Sequence, residues 1–78
     1  MKEKNRSQVQ NIDHVVGKNL KKHQTTLNLS QKDIADSLGV SIQQVQKYET
    51  CVNRISSGKL YNISKLLNTP IKQFFLNQ

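Results

Sequence analysis

Tryptophan is absent from this 78-residue chain, and two Tyr and two Phe are its whole stock of phenyl rings. A protein that stacks unpaired bases on aromatic side chains would carry more. There is one cysteine, Cys51, so no disulfide can close within the chain. That usage fits a reducing cytoplasm. His14 and His23 stand far apart on one helix, and with a single Cys and no second cluster no metal site is expected. No Ser/His/Asp or Cys/His arrangement and no glycine-rich phosphate loop is present, so neither catalysis nor a cofactor is expected. No apolar run approaches the roughly 18 residues of a spanning helix. The stretch from Met1 to Gln10 is basic and polar without an apolar core, unlike a secretory signal, and no membrane partner is expected.

Acid is scarce as well. Five acidic residues face twelve Lys and Arg, a formal charge of +7. All five (Glu3, Asp13, Asp33, Asp36, Glu49) precede Thr50, after which Arg54, Lys59, Lys65 and Lys72 stand without acidic neighbours. Such a balance on a small domain favours a polyanion partner. The length suffices for one domain whose core is workable without metal or disulfide.

Residues 1–11 lack periodicity and read as a flexible basic tail. From residue 12 to 78 the pattern is that of one helical domain. Ile12, Val16, Leu20 and Leu27, with Val15 beside them, predict a helix over about 13–27, with Asp13 near its start and Asn28 at its stop. Ser30 caps a second helix over 31–38, with Asp33 three residues on as a weaker capping box and Ile34, Ala35 and Leu38 as its buried face. Gly39 supplies the positive φ of a sharp turn, and Val40 plugs the corner. Ser41 caps a third helix over 42–49 whose inward residues are Val45 and Tyr48. Thr50 to Ile55 reads as a loop. Ser56 or Ser57 opens a fourth helix over 57–67, striped by Leu60, Ile63, Leu66 and Leu67. Asn68 closes it, and Pro70 opens a fifth over 71–76 with Ile71, Phe74 and Phe75 as its apolar face. The expectation is an all-α, compact five-helix bundle.

The turn Leu38-Gly39-Val40-Ser41 is too short for anything but a steep crossing of helices two and three. In such a unit the second helix lies across the phosphates and the third enters the major groove. Gln43 and Gln44 fall in the first turn of the third helix, where a Gln amide can pair bidentately with adenine. Lys47, one turn on, can reach guanine or a phosphate, Ile42 can meet a thymine methyl, and Gln46 completes the expected base-contacting set. Gln31 and Lys32 at the start of helix two and Ser41 at the start of helix three are expected on phosphates. The bland alternative for the Gln cluster is a solvated polar face, and for Gln44 a bond back to Ser41. The apolar area of Leu67, Ile71, Phe74 and Phe75 exceeds what sealing a small core requires, and a dimer surface is the expected use of the remainder.

The run Leu29-Ser30-Gln31, Ile34-Ala35, Leu38-Gly39-Val40-Ser41, Val45, Tyr48-Glu49 resembles the phage Cro/cI repressor and XRE family of helix-turn-helix regulators. Asn53-Arg54-Ile55-Ser56, Leu60-Tyr61-Asn62-Ile63, Pro70-Ile71 and Phe74-Phe75 resemble its short alphaproteobacterial members. The resemblance covers residues 17–75. It implies a lambda-repressor-like fold and sequence-specific binding of double-stranded DNA, as a cytoplasmic, nucleoid-associated homodimer on a two-fold operator. It places Gln31, Ser41, Gln43, Gln44 and Lys47 on contact positions, and Asn53 and Arg54 on a loop that touches phosphates. Three departures stand out. Cys51 lies near the place of a family Gly, Asn28 replaces the usual Gly before Leu29, and Gln24 replaces an Arg that would pair with Glu49. Arg54 or Lys21 is expected to partner that acid instead. A repressor is the expected role. An antitoxin bound to a toxin partner and the controller of a restriction–modification operon are the alternatives.

Overall fold

The computed structural model describes residues 11–76. The expected tail falls outside that range except for Asn11, which opens the first helix. Four α-helices follow in order: α1 (Asn11–Thr26), α2 (Gln31–Leu38), α3 (Ile42–Glu49) and α4 (Ser57–Leu66). A 3₁₀ turn over Ile71–Phe75 closes the described chain. No strand occurs among the described residues.

The helix starts are chemically marked. Ser30 Oγ accepts from the Asp33 amide at 3.0 Å while Asp33 Oδ2 accepts from the Ser30 amide at 2.9 Å, a reciprocal box that satisfies two orphan donors. Ser41 and Ser56 cap α3 and α4 in the one-sided form, accepting from Gln44 and Lys59 amides. The ends are marked by left-handed residues: Asn28 (φ 57°), Gly39 (φ 70°), Cys51 (φ 64°) and Asn68 (φ 49°). Only at Gly39 does the residue type remove the steric cost of that conformation.

Val16, Leu20, Ile34, Ala35, Leu38, Val45, Tyr48, Leu60, Ile63, Leu67 and Phe74 form one core, with Leu29, Val40 and Ile55 packed against its edge. α2 lies between α3 and α4, and α1 packs on both α3 and the 3₁₀ turn. Ile12 and Leu27, expected on the inner stripe of α1, are exposed. Val16 and Leu20 of the expected stripe are buried, joined by Gly17, Asn19 and Gln24.

The expected fifth helix is the 3₁₀ turn. Its C-terminal end is clamped by Asn19, which is 2% exposed and donates through Nδ2 to both Phe74 O and Leu76 O at 2.9 Å. Those carbonyls are thereby taken by a side chain. Five residues after a proline cannot recover the cost of helix nucleation by themselves. The same turn drives Phe74 fully into the core, beside the edge of His23, with ring centroids 5.4 Å apart. Phe74 and Leu67 were expected at a dimer surface; both are consumed by the protein's own interior, because the 3₁₀ turn that carries Phe74 packs against α1 and α4. Ile71 (40% exposed) and Phe75 (42%) remain outside.

Candidate nucleic-acid interface

The corner between α2 and α3 is set by Gly39, whose amide bonds back to Ala35 O, and by Val40, whose amide bonds to the same carbonyl at 3.0 Å. Ala35 is buried on α2, and its single methyl leaves room for a neighbouring helix to cross closely. Val45 and Tyr48 anchor α3 inward. At one end and along the far side of this two-turn helix, Ile42, Gln43, Gln46 and Lys47 are exposed, and Gln44 is half-buried. The expected base-contacting residues therefore share one outward region, with Gln44 partly covered.

The residues expected on phosphates divide. Ser41 has its hydroxyl engaged in the α3 cap. Lys32 is exposed and pairs with Asp36 one turn along α2 at 2.8 Å, a contact that raises its pKa through hydrogen bonding first and charge second. A wholly exposed pair of this kind is readily exchanged for a phosphate. Asn53 is exposed in the loop after α3, and Arg54 Nε stands 3.5 Å from Asp13 Oδ2, which holds the loop to the start of α1. Arg54 is thus the partner of Asp13, and the acid expected to need it, Glu49, is served by others.

Glu49 has a side chain only 4% exposed. Its Oε1 accepts from Gln31 Nε2 at 2.7 Å and lies 3.8 Å from Lys21 Nζ. Its Oε2 has no hydrogen-bond partner among the described residues. Gln31 in turn accepts at Oε1 from Gln46 Nε2 at 3.1 Å. Gln31 is therefore tied sideways to α3, away from the free backbone donors of its own helix start. Gln24, which stands where the resemblance expects an Arg, spends its amide on Leu29 O at 2.7 Å and bridges the left-handed joint at Asn28. The chain of three polar side chains was missed by sequence reasoning. Residues 46 and 49 are neighbours on a helix face, but Gln31 reaches them only through the tertiary crossing.

A second feature was also missed. Gly17 lies against the C-terminal end of α3, where an added Cβ would stand 2.6 Å from Tyr48 O and 2.7 Å from Cys51 Sγ. Cys51 is buried there, and its thiol contacts Asp13 O at 3.5 Å. A glycine inside a helical pattern is the only local signal of such a close approach. Among the described residues no group of His, Cys, Asp and Glu converges in a metal-holding arrangement, and no helix is long and apolar enough to cross a membrane.

Residues 20–74 match the family model described as helix-turn-helix. The chain is 44% identical over 64 residues to an uncharacterized HTH-type transcriptional regulator of Sinorhizobium medicae, covering 82% of this chain and 46% of that protein. It is 43% identical over 75 residues to an uncharacterized transcriptional regulator in the ATPase CF(0) region of Rhodospirillum rubrum, covering 96% and 69%. The chain spans about half the length of the first of these relatives. Among solved structures, the restriction-modification controller protein C.AhdI from Aeromonas hydrophila superposes with a TM-score of 0.74 at 21% identity, covering 81% of this chain and 96% of that one. A hypothetical transcription factor NHTF from Neisseria gives 0.76 at 18% identity, covering 85% and 76%. At that identity the two structures are similar in fold alone.

Proposed function

This chain belongs to the XRE-type helix-turn-helix family of DNA-binding transcription regulators, and from that premise we propose that it is a repressor acting as a homodimer on a palindromic operator. The observation that supports this most is the two-faced α3: Val45 and Tyr48 buried, Ile42, Gln43, Gln46 and Lys47 exposed together. α3 enters the major groove and α2 lies across the backbone. Gln43, near the tip of α3, carries direct readout, and Lys47 adds base or phosphate contact according to the half-site. Ile42 meets a thymine methyl, while Gln44, half-covered, contributes at the margin. Lys32, Asn53 and Arg54 approach phosphates, together with the backbone amides of Ser41 and Gln31 at the two helix starts.

Ile71 and Phe75 supply the dimer surface, joined by Leu66 and Leu76, which are also exposed. The two-fold operator of this reading requires a pairing that sets two α3 helices about 34 Å apart, one turn of DNA. The fold likeness to C.AhdI favours, as a second reading, control of a restriction–modification operon. A methyltransferase or endonuclease reading frame beside the gene would select it over the repressor reading; a toxin frame would select an antitoxin.

The test is binding-site selection on random duplex DNA, with solution mass measured alongside. Gln43→Ala is expected to relax the preference at one base pair, with a loss of about 1–3 kcal/mol on the best site. Phe75→Glu is expected to yield a monomer that binds half-sites weakly. An unchanged selected sequence for Gln43→Ala removes Gln43 from the reading face, and a monomeric native chain removes the two-fold operator.

A further inference from the structure

The Gln31 amide stands between two groups of α3, donating to Glu49 Oε1 at 2.7 Å and accepting from Gln46 Nε2 at 3.1 Å. We propose that Glu49 is a positioning residue which dictates, through Gln31, the end of the Gln46 amide that faces the duplex. The inference rests on the reading of α3 as the recognition helix given above.

The direction of the chain follows from proton counting. An ionised carboxylate carries no hydrogen and can only accept. Gln31 must therefore turn its NH₂ toward Glu49, and its carbonyl oxygen is left for Gln46. Gln46 must answer that oxygen with an N–H. What it keeps for another partner is its carbonyl oxygen and one N–H. A glutamine without such neighbours can present either end of its amide at little cost, since the two ends are nearly isosteric.

The order of strengths makes the constraint run outward. The Gln31–Glu49 bond is charge-assisted and partly buried, whereas the Gln46–Gln31 bond joins neutral groups near solvent. Glu49 itself is fixed by its 4% exposure and by Lys21. A cleft of about 380 Å³ lined by Lys21, Gln31, Gln46, Glu49 and Thr50 surrounds these groups and gives them room to repack if the chain is broken. The consequence is chemical selectivity. Gln46 keeps its whole acceptor but only one of its two N–H groups, so it favours a base edge that presents a donor in the major groove, adenine N6 or cytosine N4.

The experiment measures affinities for a panel of duplexes, each varied at one base pair of the selected site. The proteins are native, Gln46→Ala, Glu49→Gln, Gln31→Leu and the double variant Glu49→Gln/Gln31→Glu, with folding followed by circular dichroism. The native chain is expected to prefer donor-bearing bases at one position by about fivefold or more, and Gln46→Ala to abolish that preference. Glu49→Gln lets the amide chain run in either direction, so discrimination falls to within about twofold while affinity for the best site stays within about threefold. The double variant places the carboxylate one step nearer to Gln46, again forcing an N–H toward it, and restores the preference. Gln31→Leu removes the middle link and loses discrimination, which keeps the test decisive should Glu49→Gln fail to fold. Retention of the preference in Glu49→Gln or Gln31→Leu, or failure of the double variant to restore it, overturns the relay. A native preference indifferent to Gln46→Ala overturns it too, with DNA reading left standing. A native chain with no sequence preference overturns both.

Discussion

Gly17→Ala is the substitution for which two physical terms oppose each other most directly. Within a helix, alanine is favoured over glycine by roughly 0.8–1.0 kcal/mol. On propensity alone the change would stabilise α1. The added Cβ, however, meets Tyr48 O at 2.6 Å and Cys51 Sγ at 2.7 Å, with Glu49 O at 3.4 Å behind. Ordinary carbon contacts begin near 3.5 Å, so the shortfall is close to 1 Å. The thiol can turn away. The Tyr48 carbonyl cannot, because it accepts from the Cys51 amide at 3.2 Å and belongs to the last turn of α3. α1 must then back off from α3, an overpacking cost of about 1–3 kcal/mol, toward the upper end where backbone is the obstacle. The net loss is about 2 kcal/mol, which lowers Tm by roughly 8–16 °C in a domain of this size. Far-UV circular dichroism during heating measures it. Gly58→Ala is the control: its Cβ meets nothing within 4 Å, and the change is expected to raise stability by about 0.4–1 kcal/mol. Gly17→Ala/Cys51→Ala should recover only the part due to sulfur. Because the displaced element is α3, Gly17→Ala should also weaken DNA binding although residue 17 touches no base. A Tm at or above that of the native chain would refute the reasoning.

Two further outcomes are expected. Asn19→Leu strips the Phe74 and Leu76 carbonyls of their donor, a loss of about 2–4 kcal/mol, and should speed hydrogen exchange in the 3₁₀ turn before the rest of the domain; native-like exchange there would remove Asn19 as its clamp. For Cys51, burial first and the Asp13 carboxylate second push the thiol pKa above its ordinary value. The folded state therefore keeps the proton that the unfolded chain gives up, so this contribution to stability is complete below about pH 8.5 and is lost as pH rises through the folded value. Alkaline melts of Cys51→Ala should lack that decline, and the native thiol should react slowly with a disulfide reagent until the protein unfolds. Prompt reaction of the folded chain would contradict the burial of Sγ.

The local parts of this fold were legible because their signals are local. Ser30 with Asp33, Gly39 and Ser41 mark α2 and α3 within a few residues of each boundary, and the structure begins and ends those helices where the caps require. Their outward residues follow from the same spacing. The misreadings arose where a distant partner decides. Nothing near Phe74 announces that Asn19, 55 positions earlier, will hold its carbonyl against α1. Burial of Leu67 and Phe74 depends on how the 3₁₀ turn packs against α1 and α4, which periodicity does not encode. Glu49 was recognised as needing a basic neighbour, and Lys21 supplies it weakly at 3.8 Å. Its nearer bond, to Gln31, arises from the angle at which two helices cross.

The left-handed residues at the ends of α1, α2, α3 and α4 have an angular consequence. Each residue added to a helix rotates everything after it by about 100°. A joint that sits at Asn28, Gly39, Cys51 or Asn68 fixes the number of residues before it, and so the azimuth at which the following helix departs. The joints thus work as an index mark on a dial. A one-residue insertion within α2 would swing Gln43 and Lys47 to another bearing with their chemistry intact, and the message they spell would be aimed elsewhere.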